Sequence, residues 1–176
     1  MQLVQHTMGQ YFICVFLAED CKFIRAFVSP HNYMNGAKLV EHSYVGIPFM
    51  DAVEFMLSPN GMFYKSRLVW AGDYADPENS GDNLYTMAHQ VEDKMVFLEK
   101  RTDCKFILNH TKKRFINKDT LGDIHPLAIL TAEGNGRGNG DYHGSDEELC
   151  GSWARDVISV ESSDNGYTEF IHGFGK

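Results

Sequence analysis

The chain has 176 residues, 43% of them hydrophobic and 12% aromatic, which suits a single domain with one sizeable core and excludes the composition of a disordered chain. Sixteen Lys and Arg against 24 Asp and Glu give a formal net charge of -8, which argues against a sequence-independent grip on DNA or RNA, since many cations are needed to neutralise phosphates. The first apolar run, residues 11–18, is too short to span a bilayer and lacks the basic flank and cleavage site of a signal peptide, so a cytoplasmic protein without membrane contact is expected.

Residues 10–17 read as a buried strand, because Tyr, Phe, Ile, Cys and Val follow one another up to the polar Glu19-Asp20 turn. Residues 22–28 return as the second half of a hairpin, and Ser29 to Gly36 is turn chemistry ending in Asn-Gly. Over residues 48–57, Phe49, Ala52, Val53 and Met56 recur at helical spacing and Pro48 suits the first turn, so a helix is expected there, stopped by Pro59, Asn60 and Gly61. Residues 67–70 form a short strand leading into an acidic loop with Asp73, Asp76, Glu78 and Asp82. A second helix is expected near Asp82, with Asp82 as its cap and Leu84, Ala88, Val91 and Met95 on its buried face.

Residues 105–110 and 114–117 alternate apolar with polar and predict a half-exposed hairpin around Thr111-Lys112-Lys113. This hairpin carries much of a basic cluster: Lys94, Lys100, Arg101, Lys105, Lys112, Lys113, Arg114 and Lys118. Residues 126–131 read as another buried strand, entering the glycine-rich stretch Gly134-Asn135-Gly136-Arg137-Gly138-Asn139-Gly140-Asp141, and residues 157–160 and 168–171 as the last strands. Strands and helices do not alternate regularly. The expected class is therefore α+β, a mainly antiparallel sheet with about two helices in a single domain over residues 1–176.

Three places carry candidate chemistry. In the glycine-rich stretch, Gly134, Gly136 and Gly138 free backbone N–H groups to converge on an anion, and Arg137 adds a charged fork, although neither a Walker A lysine nor GxGxxG spacing is present. Lys38, Trp70 and Tyr74 offer a further donor and aromatic faces for the same pocket, Trp70 also reading as core. Asp73 and Asp76, with Glu78, are carboxylates that a hard cation would accept, although they lack EF-hand spacing. No Ser/His/Asp or HExxH pattern places His31, His42, His110, His125 or His143, so no catalytic set and no cofactor motif is expected. Cys14, Cys21, Cys104 and Cys150 lack zinc-ligand spacing and read as separate thiols.

The stretches Met8-Gly9-Gln10-Tyr11-Phe12, Asn35-Gly36-Ala37-Lys38-Leu39-Val40-Glu41-His42-Ser43-Tyr44-Val45-Gly46 and Val69-Trp70-Ala71-Gly72-Asp73-Tyr74-Ala75-Asp76 resemble a family of uncharacterised phage and prophage proteins. The later segments His125-Pro126-Leu127, Gly134-Asn135-Gly136 and Gly151-Ser152-Trp153-Ala154 extend the resemblance over nearly the whole chain from Met8, with residues 1–7 as an extension. It assigns no activity or site residue. What it implies is a viral origin, an infected bacterial host and a part in countering host defence.

From these readings the leading expectation is a protein that binds and sequesters a small phosphorylated, nucleotide-type signal without cleaving it, in a homo-oligomer whose subunits enclose the ligand. The first alternative is an acidic inhibitor of a host defence protein, its carboxylates standing in for phosphates. The second is a metal-dependent phosphodiesterase or hydrolase using Asp73, Asp76 and either His42 or His143.

Overall fold

The computed structural model describes residues 10–91, 93, 96, 101–134 and 142–176. The run of Phe, Ile, Cys, Val, Phe and Leu in β1 (Phe12–Leu17) is buried along its whole length, because β1 lies inside a sheet covered on both faces. Its neighbours are β2 (Ile24–Val28) and β3 (Ser66–Gly72), both antiparallel to it. Phe12, Cys14 and Phe16, with Leu68 and Trp70 of β3, pack against helices α2 (Pro48–Leu57) and α4 (Pro126–Leu130). On the opposite face Ile13, Val15, Leu17, Val69 and Ala71 pack against Leu84 and Ala88 of α3 (Leu84–Ala88). Each fully buried Phe or Leu in these layers contributes about 1.5–3 kcal/mol.

The remaining strands are β4 (Phe106–Asn109), β5 (Arg114–Asn117), β6 (Ala132–Glu133), β7 (Val157–Glu161) and β8 (Thr168–Glu169), and α1 (Leu39–His42) is a single turn. The order is β2-β1-β3-β7-β4-β5-β8, with β6 also on β3, and only β3 with β6 and β5 with β8 run parallel. This is the α+β class the sequence predicts. No helix among the described residues is long and apolar enough to cross a membrane.

Helix α2 occupies the residues read from its periodicity, with Pro48 in the first turn. Two of its inward residues are acidic, and the basic stretch neutralises them: Arg101 Nε lies 3.0 Å from Asp51 and Lys118 Nζ 2.9 Å from Glu54. Burial would raise the Glu54 carboxyl, but His125 and Lys118 together draw it down to about 2.

Three expectations need correction. Residues 126–131 are a helix followed by a short strand, because His125 accepts a hydrogen bond from Leu127 N and Pro126 starts a turn; a short run buried on all sides has no period by which to tell strand from helix. Asn83, rather than Asp82, caps α3, its side chain accepting from Thr86 N at 2.9 Å. The last strand ends at Glu169, with Phe170 N making one further bond to Phe115 O at 2.7 Å, and Ile171 lies beyond it.

One topological feature positions the site. Since β1 fills one edge of β3, two chains share the other: β7 pairs at Ser66 and Arg67, and β6 at Trp70 and Ala71. Between them Arg155 N donates to Leu68 O at 2.8 Å and Trp70 N to Thr131 O at 2.9 Å. The two neighbours of β3 diverge at that point and a recess opens.

Candidate functional site

The recess is a cleft of about 560 Å³, lined by Asp76 and Glu78 of the loop after β3, by Glu133 and Gly134 at the end of β6, and by Glu148, Cys150 and Arg155 among others. Its size falls in the range of small-ligand sites. Gly72 makes the close approach of its walls feasible, since a Cβ there would meet the Glu133 carbonyl oxygen at 2.8 Å and the Phe12 ring at 2.9 Å.

Arg155 is the hub of the cleft. Its backbone lies in the left-handed region, φ 68, uncommon for a residue with a side chain. It is held there by the bond from its N–H to Leu68 and by Arg67 Nη1, which donates to its carbonyl at 2.9 Å. From this position the guanidinium crosses the split. Nε and Nη2 donate to the two carboxylate oxygens of Glu133 at 2.5 and 2.9 Å, Nη2 also reaches Glu78, and Nη1 donates to Cys21 O at 3.1 Å. The hydrogen bonds that Arg155 donates to Glu133, with those to Glu78, outweigh burial and raise the guanidinium above its already high pKa. Four chain segments are thereby joined by one fork, the bidentate geometry that arginine forms with a carboxylate.

The acidic loop is tied down at both ends. Asp73 Oδ1 accepts from Tyr11 N at 3.0 Å while Asp73 N donates to Tyr11 O at 2.9 Å, and Asn83 Nδ2 donates to Asp73 O at 2.8 Å. Asp76 and Glu148 line the cleft and have no bonded partner among the described residues. The cleft thus presents four carboxylates against one guanidinium, which is itself engaged by two of them.

The sequence-predicted site residues fall in different places. Gly134 lines the cleft, whereas Gly136, Arg137 and Gly138 lie outside the described residues. Tyr74 is half exposed in the turn beside the cleft, and Lys38 is exposed on the sheet end, bridged to Tyr11. Trp70 is a correction: it is fully enclosed, its Nε1–H donates to His42 Nε2 at 2.9 Å, and it has no face to offer a ligand. His42 is equally enclosed, with Nδ1 3.0 Å from Gly36 O, and burial lowers its pKa to about 4, so the ring is neutral.

Asp73, Asp76 and Glu78 do not gather into the cation site that their carboxylates could have formed. Asp73 is bonded to Tyr11 and Glu78 to Arg155, and among the described residues no three His, Cys, Asp or Glu side chains could hold a metal ion. The basic hairpin is likewise turned to internal use: Lys112 lies 2.5 Å from Asp156, and Arg114 donates to the carbonyls of Thr168 and Glu169.

Glu133, Glu148 and Arg155 were not legible as site residues. No family model, curated protein or solved structure matches the chain, which leaves the cleft geometry to carry the functional reading.

Proposed function

We propose that the protein works by binding rather than catalysis, and that its cleft takes a basic group, a guanidinium or ammonium, presented by a protein partner. One observation carries this: Asp76, Glu78, Glu133 and Glu148 line a single recess whose only charged counterpart among the described lining residues, Arg155, is already neutralised. A phosphate entering it would face net negative charge in a site of lowered dielectric, while a cation would be drawn in. In the setting that the phage resemblance implies, the partner is a host defence protein whose nucleic-acid-binding surface is basic, and the acidic chain blocks it.

The test is titration of the purified protein with a short arginine-rich peptide, followed by calorimetry at low and moderate salt. Asp76→Asn with Glu148→Gln is the informative variant, because neither side chain holds Arg155 and the fold should persist. Binding that weakens by about tenfold or more in this variant supports the reading. Equal affinity in variant and parent would sink it.

A second reading, capture of a nucleotide-type signal, is favoured by the place of Gly134. The cleft wall runs directly into the glycine-rich stretch, and Tyr74 stands beside it. Native mass spectrometry with a panel of cyclic and adenine nucleotides discriminates the two. An intact nucleotide retained by the parent and lost in Arg137→Ala would replace the first reading with the second, and a converted nucleotide would make the protein an enzyme.

A further inference from the structure

After β8, Phe170 N still donates to Phe115 O at 2.7 Å; residues 171–175 then leave the sheet and end in a turn at Phe174 and Gly175. Phe170, His172 and Phe174 turn inward while Ile171 is 72% exposed. Together they extend an aromatic ladder: Trp153 to Phe170 at 5.0 Å, Phe170 to His172 at 6.3 Å, His172 to Phe174 at 4.8 Å, and Phe174 to Tyr142 at 5.5 Å between ring centres. The segment is fastened at two further points. Gly173 N donates to Asp146 Oδ2 at 2.5 Å, and the Gly175 carbonyl packs against Gly122 and accepts from Asp123 N at 3.3 Å.

Asp146 and Tyr142 belong to the stretch 142–150, which ends in Glu148 and Cys150 of the cleft wall. The segment therefore holds that wall from outside. We propose that residues 171–175 are a clasp on the cleft wall, closed while the His172 imidazole is neutral and released when it takes up a proton. The clasp is independent of what the cleft binds.

The geometry fixes the tautomer. His172 Nδ1 accepts from Phe174 N at 3.2 Å, so the ring proton is on Nε2, a buried atom with no hydrogen-bond partner among the described residues. A second proton would turn Nδ1 from acceptor to donor, break the bond to Phe174 and leave a charged ring between two phenyl rings with an unpaired N–H. The charged and titratable groups that act on it are Lys176 and His125, which oppose a positive charge, and Asp146, which favours it but is bonded to Gly173. Burial, the largest effect, and the Lys176 charge draw the His172 pKa down from 6.5 to about 4. The proton is thus bound far more readily by the released segment than by the closed one. Closure weakens by about tenfold for each pH unit below about 6.5 until the closed form itself protonates. Phe170 N still donates to Phe115 O at 2.7 Å, but residues 171–175 make no pairing with a strand and can open without disturbing the sheet.

The experiment is ¹⁵N NMR of the full chain between pH 7.5 and 5, following the amides of Gly173 and Phe174, those of Leu149 and Cys150 in the wall, and the Trp70 indole N–H as reporter of the core. The expected result is a shift of the first four toward open-chain positions as pH falls, with the Trp70 signal unchanged. Two variants separate the cause. His172→Asn keeps an acceptor for Phe174 N without a titrating ring and should hold the clasp closed throughout. Gly122→Ala places a methyl against the Gly175 carbonyl and should open it at pH 7.5. Loss of the segment signals only together with the Trp70 signal, or a transition that persists in His172→Asn, would overturn the proposal.

Discussion

Arg155 shows how one side chain can determine the shape of a site. Its fork joins β6, the acidic loop and the β1–β2 turn, so its replacement bears on fold and cleft together. Arg155→Lys keeps the charge but offers a single donor centre, which cannot span both oxygens of Glu133 and also reach Glu78 and Cys21 O. We expect a loss of about 1–3 kcal/mol in urea unfolding, from hydrogen bonds to charged groups in a partly exposed setting. A change within error would mean that the fork is ornamental. The pair formed by Trp70 and His42 makes a similar case in the core. His42→Leu would leave the Trp70 indole N–H and the Gly36 carbonyl without partners, and the expected cost is about 2 kcal/mol or more, read from the same melts.

At the scale of elements, the sharpest local requirement is the end of α2. Gly61 turns the chain back so tightly that a Cβ there would collide with the carbonyls of Phe55 and Met56, while Phe63 N donates to Met56 O at 2.9 Å. Gly61→Ala should therefore cost about 1–3 kcal/mol, the usual penalty of overpacking, and unaltered thermal stability would contradict the tight return. That stop was legible in Pro59-Asn60-Gly61, and α2 was legible in its period, because both signals are local. The strands β1, β2, β3 and β7 were legible for the same reason. Helix α4 was not, since Pro126 to Leu130 is buried on every side and carries no polar face to set a period. The cleft was legible only at its rim. Asp76, Glu78 and Gly134 stood out by composition, but Arg155 lies 77 residues from Glu78 and 22 from Glu133, and only the divergence of β6 and β7 from β3 brings them together. No spacing rule reports a split that arises from sheet topology.

For the whole molecule the decisive variable is pH. His42 and His172 are both buried neutral, with pKa values near 4 in the folded chain against 6.5 when exposed. Between those limits the unfolded chain binds protons that the folded chain refuses, so stability is complete above about pH 6.5 and falls as pH drops toward 4, by roughly 1.4 kcal/mol per unit for each group. Glu54 works in a lower window. Its carboxyl sits at about 2 against an ordinary 4.5, so its contribution persists above 4.5 and disappears as pH falls through 2. The formal charge of -8 acts in the opposite sense, because protonating surface carboxylates relieves self-repulsion, but that effect is spread over the surface and screened by salt, whereas the buried rings are not. Urea midpoints measured from pH 8 to 3 in moderate salt should therefore stay level to about pH 7, then decline from about 6.5, well before the surface carboxylates titrate. His172→Asn should remove part of the decline between 6.5 and 4 and leave the drop below 4.5 in place. A midpoint level down to pH 4.5, followed by a single carboxylate-driven fall, would show that neither ring resists its proton, and the neutral tautomers assigned to Trp70's acceptor and to the clasp would both have to be abandoned.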